Sequence, residues 1–179
     1  MKRTEYLKVV LILPGNVLIT IPLLIFLFTR NSYSYYLVSP HNFLFYVAMF
    51  FLTLGLFLAI WSVRTFYTKG GDGTPGPWRP VCNLIISGPY RYVRNPMILG
   101  VVDLLLFESA LFVSIPLLLW AIVFFVGNII YFKTFEEKEL IKRFGADYKD
   151  YKNKVSMLFP IFTPYNQKIT PQHSSWLVV

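Results

Sequence analysis

The chain has 179 residues, of which 55% are hydrophobic, 18% aromatic and only 15% charged, and its mean hydropathy is +0.53. Soluble domains carry about a quarter charged residues, so this composition excludes intrinsic disorder and argues against a water-soluble globule. A single cysteine, Cys82, leaves no internal disulfide, and two distant histidines, His41 and His173, make no metal-ligand cluster; no metal is expected.

A helix needs roughly 20 apolar residues to cross a hydrocarbon core about 30 Å thick. The first such stretch runs from Leu7 to Phe28, with Lys8 at its edge and Pro14, Gly15 and Pro22 interrupting it without adding charge. It ends without a small-residue cleavage site, so we expect a retained anchor and not a removed leader. The second runs from Phe43 to about Val63. The third, Met97 to Phe132, would extend about 54 Å at 1.5 Å per residue, too long for one crossing. Ser114-Ile115-Pro116 breaks it near its middle, which predicts a tight helical hairpin with Pro116 in the first turn of its second helix. The expected fold is all-α and integral to the membrane. It has four transmembrane helices, a cytoplasmic helix after the last, and both termini in the cytoplasm.

The basic residues set that orientation. The chain carries 17 Lys and Arg against nine Asp and Glu, for a net charge of +8. With four spans only Arg30 falls on the far side, so the charge bias supports an even count. The excess flanks the spans, as suits anionic head groups, and no compact nucleic-acid face is expected.

Between spans two and three, residues 69–78 are dense in Gly and Pro and read as a connector. The following segment, Asn83 to Gly100, is apolar and aromatic and should rest at the membrane interface. Asn95 can cap a helix with Pro96 at its first position, and the unpaired N–H groups there, with Arg94, suit a carboxylate or phosphate. After span four, Thr134 to Gly145 reads as that span continuing into water, with Glu137, Leu140, Ile141 and Phe144 on one face and Gly145 as its stop. Glu136 and Glu137 fit either a solvated surface or a grip on ribose hydroxyls or an ammonium group. Asp103 and Glu108 lie inside span three, where carboxylates are costly; Glu108, about 18 Å past Pro96, is either a catalytic or substrate-binding group or a structural hydrogen bonder. The chain divides into residues 1–66 (two spans), 67–160 (connector, hairpin and cytoplasmic helix) and 161–179, a tail loosely held from about Pro164.

Two stretches carry a resemblance. Ser87-Gly88-Pro89-Tyr90-Arg91-Tyr92-Val93-Arg94-Asn95-Pro96-Met97 is the first. Glu136-Glu137 followed by Leu140, Phe144-Gly145, Tyr148 and Tyr151 is the second. In this order and spacing they resemble the isoprenylcysteine carboxyl methyltransferase family in its broad prokaryotic form, and the phospholipid N-methyltransferases are similar in the same places. The resemblance covers about residues 70–160 and implies integral membrane methyltransferases that use S-adenosylmethionine on the cytoplasmic side. It also implies that Tyr90, Asn95, Pro96, Met97, Leu99 and Gly100 line the cofactor pocket. Glu136 and Glu137 would hold its polar groups, Leu140, Phe144 and Tyr148 would enclose it, and Arg94 would stand at the reaction centre. Asn95 stands where the isoprenylcysteine enzymes carry His, so the acceptor stays open among carboxylates, amines and thiols.

The residue reading and the resemblance converge on a polar pocket between the start of span three and the far end of span four. Aromatics such as Tyr90, Tyr131 or Phe144 would flank the adenine or the sulfonium. The methyl group would pass to a lipophilic acceptor arriving from the bilayer. Arg94 would orient a carboxylate, and Glu108 would serve as base for an amine or thiol. The competing readings are a non-catalytic membrane scaffold with a relict cofactor fold and a small transporter built on Asp103 and Glu108.

Overall fold

The computed structural model describes residues 14–69 and 83–166, and every regular element among them is helical. The predicted start of the first span, the Gly- and Pro-rich connector and the tail beyond residue 166 lie outside the described residues. Helix α1 is Asn16–Thr29, beginning with a π turn at Asn16–Thr20. Helix α2 is Phe43–Lys69, and a 3-10 turn follows at Gly88–Arg91. Helices α3 (Pro96–Leu111) and α4 (Ile115–Tyr131) form a hairpin. A second π turn, Phe132–Glu136, joins α4 to α5 (Glu137–Lys154) in one helical rod, Ile115–Lys154, kinked at Gly145. Among the described residues, α2 and this rod are the two helices long and apolar enough to cross a membrane. At 16 residues α3 spans about 24 Å, short of a full hydrocarbon core.

The hairpin turns where the sequence predicts. Ser114 is the N-cap of α4, its hydroxyl accepting from Leu117 N at 3.2 Å, with Pro116 just inside the helix. The loop before α2 closes this end: Tyr33 Oη donates to Val113 O (2.8 Å) and accepts from Ile115 N (3.2 Å), and Val38 N donates to Leu111 O (2.9 Å). These bonds satisfy the backbone groups that a tight turn leaves open.

Lipid tails offer no hydrophobic gain for helix association, so packing depends on close backbone approach through small residues. Helix α2 buries Ala48, Gly55, Ser62 and Thr65, and Gly55 lies against Gly100 of α3. A Cβ on Gly100 would stand 2.9 Å from Ala59 N, so the two backbones are in contact. On the opposite side of α3, Val101, Leu105 and Ala121 form a core with Val17, Leu18, Trp120 and Phe124. The π turn of α1 shares in that packing. Ile21 N donates to Asn16 O, and Pro22 has no N–H, so Val17 O lacks a helical donor. Trp120 Nε1 supplies one at 3.2 Å.

Two expectations are corrected at α5. Gly145 does not stop α5; it kinks it, at φ 53° and ψ −123°, and the helix resumes to Lys154 because Tyr148 and Tyr151 bury against the segment that follows. No atom lies within 4 Å of a Cβ built there, so Gly145→Ala costs only backbone strain, an expected loss of about 1–3 kcal/mol by thermal unfolding in detergent. The tail is also held further than expected. Tyr165 is buried, donates its hydroxyl to Asp150 (2.6 Å) and gives its backbone N–H to Arg91 O (3.0 Å). Residues 155–166 form a strap back across the start of α3.

Candidate functional site

The site is built outward from Arg94. Gly88, at φ 55°, lets the chain turn tightly over Trp61 and Thr65 of α2, and Pro89 and Val93 are buried beneath the turn. This delivers Arg94 to the entrance of α3. Asn95 occupies the N-cap position but makes no capping bond with its side chain; its backbone N–H goes to Met157 O of the strap (3.3 Å). Pro96 has no N–H, and Leu99 N returns to Asn95 O at 3.3 Å. The first-turn donors of Met97 and Ile98 are therefore not taken by the Asn95 side chain.

Arg94 runs from this junction into the rod. Its backbone N–H donates to Ser156 O (2.9 Å), Nε to Val155 O (2.9 Å), and Nη1 to both Glu137 Oε1 (2.7 Å) and Tyr148 Oη (3.0 Å). The guanidinium also lies over the Phe132 ring at 5.6 Å. Glu137 receives a second charged partner, Lys152, on its other oxygen. The Arg94 and Glu137 side chains are 8 and 7% exposed. Burial alone would raise the Glu137 carboxyl, but the hydrogen bonds and charges of Lys152 and Arg94 outweigh it and hold it below the ordinary value. Burial pushes Tyr148 up to about 12, so its oxygen accepts from Arg94 as a neutral phenol. Tyr151 donates to Tyr90 O at 2.5 Å, and burial raises it as well.

The π turn makes this arrangement possible. At about 100° per residue in an α-helix, residues five apart diverge by about 140°. The wider turn at Phe132–Glu136, with Glu137 N donating to Phe132 O, brings Phe132 and Glu137 onto one face, where both meet Arg94.

The structure thus joins Tyr90, Arg94, Glu137 and Tyr148, while Leu140 and Phe144 pack on the Tyr148–Tyr151–Val155–Tyr165 cluster beside them. Asn95 and the buried Pro96 sit at the joint, with Met97 and Leu99 half-buried on the first turns of α3. Glu136 differs from its neighbour. It is half-buried, makes no ion pair or hydrogen bond among the described residues, and burial raises its carboxyl above the ordinary value. Tyr131 is exposed and stacks on Phe135, 5.8 Å between centroids. Gly100 is set apart, packed on α2. Glu108 is set apart too, one turn from the hairpin and about 18 Å along α3 from Pro96. Its Oε2 is buried without a hydrogen-bond partner among the described residues.

Sequence reasoning missed Lys152, Phe132, and the strap carbonyls of Val155, Ser156 and Met157. Lys152 follows Glu137 by 15 residues, and only the kink at Gly145 sets that distance. Tyr151 was visible in the motif, without its partner.

A stretch of 71 residues is 39% identical to a methanethiol S-methyltransferase of Mycobacterium tuberculosis, covering 40% of this chain and 28% of that protein. Another of 74 residues is 39% identical to methanethiol S-methyltransferase 2 of Bradyrhizobium diazoefficiens, covering 40% and 26%. The matched chain thus spans only about a quarter of the length of these relatives. No solved structure matches. The family described as phospholipid methyltransferase matches residues 43–147, from the start of α2 into α5. With more than half of its length inside that match, the chain belongs to the phospholipid methyltransferase family.

Proposed function

We propose that this chain is a multi-pass membrane methyltransferase that uses S-adenosylmethionine at the cytoplasmic ends of α3 and α4. In this reading four spans place both termini in the cytoplasm, and residues 67–160 form the catalytic core. The observation that carries it is the division of labour within the glutamate pair: Glu137 is saturated by Arg94 and Lys152, while Glu136 beside it is half-buried and unbonded among the described residues. A carboxylate held at a desolvation cost is stabilised by an ammonium group or by hydroxyl donors, both of which this cofactor carries. The first-turn N–H groups of Met97 and Ile98, at the positive end of α3, suit its carboxylate. The residues present therefore fit the group, which when bound supplies a methyl group on a sulfonium.

The chain's own contribution is alignment and exclusion of water. Arg94 acts as a positioning residue, since its Nε and Nη1 bonds fix the α3 entrance against α5. Tyr131 and Phe135 supply an aromatic surface on the bilayer side of Glu136 for a lipophilic acceptor. Glu108 is too remote to act as base for it. The curated relatives favour a sulfur nucleophile and the family description a phospholipid head group, so both are assayed with labelled cofactor: an alkyl thiol in one arm, phosphatidylethanolamine vesicles in the other.

Calorimetry of S-adenosylmethionine binding tests the site. Glu136→Gln should lower affinity about tenfold or more with little change in unfolding temperature, while Glu137→Gln should lower the unfolding temperature first. Unchanged affinity in Glu136→Gln would remove the assignment, and no binding by the wild-type chain would favour the scaffold reading.

A further inference from the structure

The strap carries an apolar loop that the site does not use. Leu158-Phe159-Pro160-Ile161-Phe162 leaves Phe159 78% exposed and Phe162 fully exposed, although the residues around it are tightly held. Met157 O accepts from Asn95 N (3.3 Å), and Ile161 N donates to Tyr92 O (2.9 Å). Met157 and Val155 are buried on one side of the loop and Tyr165 on the other. Phe159 N donates to Ser156 Oγ (3.3 Å), which stiffens the turn.

These two backbone bonds set the depth of the loop. Its flanks are pinned to Tyr92 and Asn95, the residues that immediately precede the apolar helix α3. In a chain whose α3 enters the bilayer at Pro96, the loop therefore lies at the leaflet boundary. Two exposed phenylalanines cost least there if they enter the acyl region while the polar flanks stay among the head groups. Proline at 160 leaves one fewer backbone donor to satisfy at that depth. The apolar surface of the loop is then continuous with the lipid-facing surface of the helices.

We infer that the Leu158–Phe162 loop is a membrane-dipping element whose Phe159 and Phe162 side chains insert into the leaflet at the α3 entrance. The occupant of this surface is the lipid acyl region. The loop is tied to Arg94 and Asn95 through the strap, so its insertion holds the Arg94 joint at a fixed depth. The inference rests on the proposed membrane reading, and its test separates the two.

In a Cys82→Ser background, a nitroxide is placed on Phe162→Cys, with Val123→Cys on the exposed apolar face of α4 and Lys149→Cys on exposed α5 as references. The proteins are reconstituted in phosphatidylethanolamine–phosphatidylglycerol vesicles, and collisions with oxygen and with a water-soluble nickel chelate are compared. The label at 162 should favour oxygen over nickel, as at 123 and unlike 149. A water-like label at 162 beside a lipid-like one at 123 overturns the inference and leaves the membrane reading standing. Water-like labels at both overturn both. A label at 162 shielded from both reagents means that the chain covers its own loop, which also overturns the inference. If Phe162→Cys does not fold, Phe159→Cys is read by the same criteria.

Discussion

Glu137→Ala should lose about 3–5 kcal/mol of stability, the penalty for removing one partner of a buried ion pair and leaving the other uncompensated. Arg94 is the partner left behind: its Nη1 would keep only Tyr148, in a site where its side chain is 8% exposed. Lys152, more than a third exposed, can turn to water, so the cost falls mainly on Arg94. Replacing both partners with apolar residues, Arg94→Met with Glu137→Leu, should recover much of the loss, because desolvation of two charges disappears together with their attraction. Thermal unfolding in detergent gives the comparison. A Glu137→Ala protein within about 1 kcal/mol of wild type would mean that the joint is wet and that Glu137 is free for a ligand.

The same pair sets an acid limb. The folded-state carboxyl of Glu137 lies below its ordinary value of 4.5, so the stabilisation is fully present above that value and is lost as pH falls through the folded one. As pH falls below 4.5 the wild type should lose stability faster than Glu137→Gln, which has no proton to take up there.

Much of the frame was legible because it depends on local pattern. The charge-free run from Phe43 marks α2, and Ser114 with Pro116 marks the hairpin. The two motifs that meet at Arg94 and Glu137 could be paired, but the members of the glutamate pair could not be told apart. Their roles differ because the π turn rotates Glu137 toward Arg94, and a turn widened by one residue leaves no mark in composition or periodicity. The strap was hidden for a related reason. It is held by backbone bonds to Arg91, Tyr92, Arg94 and Asn95, and backbone donors and acceptors are the same at every position. Gly100 could be read equally as a pocket wall or a packing contact, and only the approach of Ala59 decides for packing. Glu108 attracted a catalytic role by its chemistry, while the rise of a straight helix had already put it far from Arg94.

Gly88→Ala should cost about 2–5 kcal/mol, because two penalties act at one atom. The φ of 55° is left-handed, which costs an L-residue about 1–2 kcal/mol. A Cβ there would also stand 2.6 Å from Thr65 Oγ1, 3.0 Å from Trp61 Nε1 and 3.2 Å from Thr65 Cγ2, and overpacking of a buried contact costs about 1–3 kcal/mol. A double-mutant cycle separates the two. Thr65→Ala removes Oγ1 and Cγ2, so in that background Gly88→Ala should keep the backbone penalty and shed most of the steric one. The functional consequence follows from the same geometry. Pushing the turn off α2 displaces Pro89 and Tyr90, and Tyr90 O is the acceptor for Tyr151. Six residues on, Arg94 loses its alignment with Glu137. Cofactor affinity in Gly88→Ala should therefore fall together with stability, and Thr65→Ala should restore part of both. If affinity falls while unfolding is unchanged, Gly88 lines the binding site itself and the packing account is wrong.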